Sequence, residues 1–103
     1  MLRKIEYHPL AMLEIKESAR WYDDQVDGLG LEFLFEVKSA ESNIQKNPET
    51  WPNYEEGTKR FLLKRFPYAI IYLVAEDRIQ IIAVAHCKRK PGYWKKRIED
   101  ENL

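Results

Sequence analysis

Cysteine is nearly absent from this chain: Cys87 is the one thiol among 103 residues. A single thiol closes no internal disulfide, so packing must hold the fold, and a reducing compartment is the expectation. Histidine is scarce as well, with only His8 and His86. His86 and Cys87 are adjacent, but neighbours on a strand point to opposite faces, and too few other ligands exist to complete a metal set. Neither a metal nor a cofactor is expected. Long hydrophobic runs are missing: nothing approaches the roughly 20 apolar residues of a membrane span. The opening Met1-Leu2-Arg3-Lys4-Ile5-Glu6 lacks the apolar run of a signal peptide. Repeats, low-complexity segments and internal linkers are not found. The expectation is a soluble cytoplasmic protein without membrane association.

What is present is one domain over residues 1–103, with 45% hydrophobic and 33% charged residues, a balance that favours a globular chain over a disordered one. The formal net charge is zero, and that figure hides an asymmetry. Residues 59–98 carry eleven basic side chains against two acidic ones, a net of +9. Residues 1–58 carry six against twelve, a net of −6, and Glu99, Asp100 and Glu101 add −3. Fields are local on the scale of a Debye length, so the second half would present a positive surface to a polyanion or an acidic protein segment.

Taken in order, Arg3, Ile5 and Tyr7 alternate with Lys4 and Glu6 as a short strand. Pro9 suits a first helical turn. Ala11, Ile15, Ala19, Tyr22 and Val26 then fall on one helical face, which predicts a helix over residues 9–26. Asp27-Gly28-Leu29-Gly30 breaks it, with a glycine available for the left-handed position after a helix. Phe33, Val37, Ala40 and Ile44, with Leu34 beside them, predict a second helix that stops at Asn47-Pro48. So short a junction predicts an antiparallel helical hairpin. Residues 49–58 read as a loop, followed by strands over 60–66, 68–74 and 79–86, with connections short enough for hairpins. The fold class is α+β in the order β-α-α-β-β-β, an antiparallel sheet with a helical hairpin packed on one face. Residues 99–103 read as a frayed end.

Strand alternation places Arg60, Leu62, Lys64 and Phe66 on one side and Phe61, Leu63 and Arg65 on the other. Neither side is cleanly apolar, so the helix-facing side stays open. The same rule puts His86 on a side with Gln80, Ile82 and Val84. His86 reads either as a strand-end histidine bonded to a neighbour or as an acid–base group, since its charge can change near neutral pH. Cys87 reads as a small filler. Lys88-Arg89-Lys90 and Lys95-Lys96-Arg97, interleaved with Tyr93 and Trp94, combine cations and rings as phosphate- and base-binding surfaces do; equally, Trp94 could fold back over the sheet. Trp21 and Tyr22 read as packing or as a partner-facing patch.

Several stretches together resemble the RelE/ParE superfamily of type II toxin–antitoxin toxins, often labelled plasmid stabilization proteins. They are Trp21-Tyr22, Gly28-Leu29-Gly30, the Asn47-Pro48 stop, Arg60 through Tyr72, and Ile81 through Pro91. The resemblance covers nearly the whole chain, from Ile5 to about Trp94. It implies the same fold and a cognate acidic, partly disordered antitoxin, with a toxin–antitoxin hetero-oligomer as the expected assembly. The Trp-Tyr pair and the Gly-Leu-Gly junction are more similar to the ParE side, which implies inhibition of DNA gyrase by binding. Target-binding residues would then be Arg60, Lys88, Arg89, Lys90, Tyr93 and Trp94, and antitoxin-binding residues Trp21 and Tyr22. A RelE-like member would instead be an mRNA interferase, an endoribonuclease acting on the ribosome. In that case His86, Arg65, Lys64, Arg89 and Tyr93 would be catalytic, with His86 as acid or base and the cations stabilising the phosphorane. A third reading is a non-toxic adaptor that holds an acidic protein partner.

Overall fold

A computed structural model describes residues 2–100. β1 (Lys4–Tyr7) leads into α1 (Pro9–Gln25) and α2 (Leu29–Lys46). A single 3-10 turn at Glu55–Gly57 precedes β2 (Lys59–Leu62), β3 (Tyr68–Val74), β4 (Arg78–His86) and a short α3 (Lys95–Glu99). The β-α-α-β-β-β order of an α+β fold is therefore present, with α3 added over Lys95–Glu99. No helix among the described residues is long and apolar enough to cross a membrane.

α1 begins on His8, which is buried and uses its ring as a cap: Nδ1 accepts the Leu10 N–H at 3.0 Å, satisfying a first-turn donor. Ala11, Ile15 and Ala19 form its buried stripe. Val26 falls outside that stripe. The helix ends at Gln25, Val26 is extended and exposed, and the backbone turns to reach Gly28 at φ +86°. Gly30 is required by close approach, since a Cβ there would lie 2.3 Å from the Ala19 carbonyl oxygen. The Asp23 carboxylate accepts the Gly30 N–H at 2.7 Å, which fixes the crossing of the two helices. On α2, Phe33, Val37, Ala40 and Ile44 are all buried at the expected spacing. Burying each of the three large ones contributes about 1.5–3 kcal/mol.

The strand order is β1-β4-β3-β2. β2, β3 and β4 form the antiparallel meander, whereas β1 lies parallel to β4, from Lys4 opposite Arg78 to Tyr7 opposite Ile81. The sheet is thus mixed. A parallel neighbour needs a crossover, and the helical hairpin followed by β2 and β3 supplies one. β2 is shorter than the sequence run: the chain leaves the ladder after Leu62, and the Leu63 N–H returns to the Tyr68 carbonyl at 2.9 Å to close a tight turn.

A bulge sets the faces of β4. Ile71 pairs with Ala83 but Tyr72 pairs with Ile81, so Ile82 is the extra residue. Ile79, Ile81 and Val84 face the helices with Ile70, Tyr72, Phe61 and Leu63, while Ile82, Ala83 and Ala85 face away with Ala69, Ile71 and Leu73. Simple alternation along β4 therefore fails at Ile82, and His86 shares a side with Val84 but not with Gln80 or Ile82. The far face is not open: Trp94 is buried in it at 2% exposure, with Tyr54, Tyr93 and Ile98 packed around that cluster. Of the end read as frayed, Glu99 closes α3 and the Asp100 carboxylate meets His8 Nε2 at 2.9 Å, while 101–103 lie outside the described residues.

Candidate functional site

The end of β4 gathers three of the residues singled out from sequence. His86 pairs with Tyr68 across the ladder, and their rings meet edge-on at 5.1 Å. The Cys87 N–H bonds the Pro67 carbonyl at 2.8 Å, which pins the strand end to the β2–β3 turn. Lys88 N–H donates to His86 Nδ1 at 3.0 Å, so a neutral ring carries its proton on Nε2 and offers a donor there. One ring nitrogen of His86 is thus committed to a neighbour, while Nε2 bonds no other side chain among the described residues.

β1 stops at Tyr7, so the edge of β4 beyond Ile81 has no strand beside it. Two side chains replace one. Glu14 of α1 accepts the Val84 N–H at 3.0 Å, and Arg97 of α3 donates to the Ile82 carbonyl at 3.2 Å. Glu14 and Arg97 also bind each other through two bonds of 2.9 Å, a fork-on-carboxylate pair with side chains only 13% and 11% exposed. Tyr93 donates its hydroxyl to Glu14 at 2.6 Å, and Arg89 approaches the same carboxylate at 3.6 Å while stacking on the Tyr93 ring at 3.6 Å. Burial, followed by the bond to Glu14, pushes the Tyr93 hydroxyl well above the ordinary tyrosine range. Burial opposes the charge on Arg97, yet its bond and attraction to Glu14 prevail and its pKa rises.

The other residues named from sequence scatter. Lys64 and Arg65 do not join His86. Both backbone N–H groups bind the Glu36 carboxylate, the Arg65 guanidinium pairs with Glu32 at 2.7 Å, and the concavity they line is walled by α2. The catalytic set of His86, Arg65, Lys64, Arg89 and Tyr93 is therefore split between two places. Trp94 is buried against the far sheet face, because the alanines there leave room for an indole, so it cannot stack on a target. Arg60 sits on that same side with its guanidinium 4.4 Å from the Tyr54 ring. Together with His86, Arg89, Lys90 and Tyr93, these two line a small cleft, and Lys88 and Lys90 are exposed beside it. Trp21 is exposed, whereas Tyr22 is half-buried among Phe33, Phe66 and Tyr68.

The charge asymmetry is real along the chain but partly closed in space. Glu6, Glu14, Glu32, Glu49 and Glu55 pair with Arg78, Arg97, Arg65, Lys59 and Lys95. Of the eleven cations in residues 59–98, Arg60, Lys64, Lys88, Lys90 and Lys96 make no ion pair among the described residues, and the first, third and fourth of these lie around the strand-end cleft. Sequence reasoning missed Glu14, Arg97 and Tyr54. The only available signal was that Glu14 stands three residues after Ala11, on the shoulder of the buried stripe. It also missed an apolar groove on the outer side of the helical hairpin, lined by Met12, Leu31, Leu34 and Phe35 with Tyr7 at one end. No three His, Cys, Asp or Glu side chains among the described residues come together to hold a metal ion.

Comparison with known proteins gives the family. Residues 5–91 match the model of the ParE toxin of type II toxin-antitoxin system, parDE. No curated protein matches the chain significantly. Among solved structures, a chain of the chromosomal ParDE TA system from P. aeruginosa superposes with a TM-score of 0.75 at 14% identity, over 84% of this chain and 97% of that one. At that identity the structural likeness carries the fold alone. With the family model running from β1 through α1 and α2 to the end of β4, the chain belongs to the ParE toxin family of type II toxin–antitoxin systems.

Proposed function

We propose that this ParE-family toxin arrests growth by binding DNA gyrase through the cations around the strand-end cleft, and that a cognate antitoxin neutralises it. The observation that carries binding over cleavage is the separation of the cations: Arg89 lies beside His86, whereas Lys64 and Arg65 are tied to Glu36 and Glu32 on α2. Stabilising a phosphorane needs several positive groups converging on one phosphate. Arg60, Lys88, Arg89 and Lys90 form a surface suited to a broad acidic partner, with Tyr93 holding Arg89 in place.

The antitoxin has a seat of a different character. Met12, Leu31, Leu34 and Phe35 are exposed on the groove between α1 and α2, and an amphipathic helix of a disordered chain would order by burying its apolar face there. Trp21 and Tyr22, also read as antitoxin contacts, stand further along α1.

Induced expression of the toxin alone tests the target. The expected outcome is loss of DNA supercoiling and filamentation while translation continues, with His86→Ala still toxic and Lys88→Glu/Lys90→Glu harmless. An immediate stop in translation with mRNA cleavage that His86→Ala abolishes would establish the ribonuclease instead. A folded protein with no growth effect would leave the adaptor. Phe35→Asp should keep toxicity and lose rescue by the antitoxin gene.

A further inference from the structure

We infer that the concavity beside Trp21 is a socket for an arginine side chain of a protein partner. Its walls are Trp21, Tyr22, Pro67, Tyr68 and His86, around a space of about 420 Å³. The rings are set edge to face rather than stacked: Trp21 to Tyr22 at 5.2 Å, Tyr22 to Tyr68 at 6.2 Å, Tyr68 to His86 at 5.1 Å. Trp21 itself is 57% exposed. Burial, and then the neighbouring Tyr68, raise the Tyr22 hydroxyl above the ordinary tyrosine range, so that wall stays neutral.

Charge selects the occupant. Glu17 and Asp24 stand four residues before and three after Trp21, on the same side of α1, and neither is held in an ion pair among the described residues. Glu17 lines the adjoining concavity, which shares Tyr68 and His86 with the socket. Against these two carboxylates stands one cation of the same helix, Arg20, exposed and without a contact on the Trp21 ring among the described residues, so the local balance is −1. Arg89, in the adjoining concavity, is stacked on Tyr93 and shares Glu14 with Arg97. A cation is thus favoured over an anion at this spot. The molecule shows the same pairing on its own surface: Arg60 lies on Tyr54, Arg65 on Phe66, and Arg89 and Arg97 on Tyr93. Trp21, the ring type that binds cations best, has no such partner among the described residues. A guanidinium also matches the planar walls and reaches a carboxylate as a fork, which an ammonium does not.

This inference goes beyond the family reading and is independent of the target. The test is an NMR titration of the full chain, following the Trp21 indole N–H, with Ac-Gly-Arg-Gly-NH2 and with its neutral citrulline counterpart. The arginine peptide should shift Trp21 saturably and leave the buried Trp94 indole in place, with the citrulline peptide about three- to tenfold weaker. Glu17→Gln should weaken the arginine peptide about twofold, and Trp21→Phe should retain weaker binding read at Tyr68. Equal binding of citrulline, or no saturable shift with arginine, overturns the inference. So does a tighter response to adenosine monophosphate, which would make the socket a base-stacking site.

Discussion

The two faces of the sheet are closed by different means. On the helix side, Ala11, Ile15, Ala19, Phe33, Val37, Ala40 and Ile44 zip down onto β3 and β4 along the full length of two helices. On the far side three alanines sit among Ile71, Leu73 and Ile82, and one indole with Tyr54 and Ile98 covers them. That cover hangs on polar anchors: Glu14 with Arg97 and Tyr93, His8 with Asp100, and Glu55 with Lys95. An apolar interface distributed over many residues opens as a whole. A cover held at three points can open by itself, at a lower free energy than global unfolding.

Replacing one ring on each side tests that contrast most strongly. Phe33→Ala removes a fully buried ring that touches Tyr22, Phe66 and Tyr68 and should cost about 3–5 kcal/mol in urea unfolding. Trp94→Ala should cost less, about 3 kcal/mol, because the short segment over it can settle onto the alanines. Hydrogen exchange separates the two changes. Trp94→Ala should speed exchange in residues 92–100 while the β3 amides keep their protection; equal loss throughout would mean the far cover is part of the global unit.

The anchors come next in size. Glu14→Gln leaves Arg97 with two of its three acceptors and no countercharge, at an expected cost of about 1–3 kcal/mol. Tyr93 adds a pH signature whose sign follows from linkage. Its hydroxyl ionises near pH 10 in the unfolded chain and higher when folded, so the stability it contributes is complete below about pH 10 and is lost as the pH climbs toward the folded value. Tyr93→Phe should therefore flatten the fall in urea midpoint between about pH 9 and pH 11. Tyr7 and Tyr72 are shifted the same way on the helix side, so part of the slope should survive that change.

The contrast also explains what the sequence could tell. The helical hairpin was legible because Phe33, Val37, Ala40 and Ile44 repeat at the helical period, and the Gly28 turn and the Asn47-Pro48 stop mark its limits. The far face was not. Ile81-Ile82-Ala83-Val84 is apolar throughout, so nothing in it marks Ile82 as a bulge or reverses the side on which His86 falls. Trp94 and Arg97 lie in a lysine-rich run without an apolar period, and the carboxylate that binds Arg97, Glu14, is 83 residues away. Long-range polar pairing has no period. That is why His86, Arg89 and Tyr93 could be named in advance as neighbours in chain order, while Lys64 and Arg65 were grouped with them and lie elsewhere.

The smallest effect belongs to the pair that led the cations astray. Arg65 and Glu32 meet at 2.7 Å, but with side chains 61% and 50% exposed the pair should contribute no more than about 0.5–1 kcal/mol in a double-mutant cycle of Arg65→Ala and Glu32→Ala. Added salt should erase most of it. The backbone bonds from Lys64 and Arg65 to Glu36 hold the turn independently, so Glu36→Gln should loosen the turn more than the loss of the ion pair does. A coupling well above that range would mean that the β2–β3 turn is locked to α2 by charge. The helix side would then rely on polar anchors as the far side does, and the two faces would differ only in number of contacts.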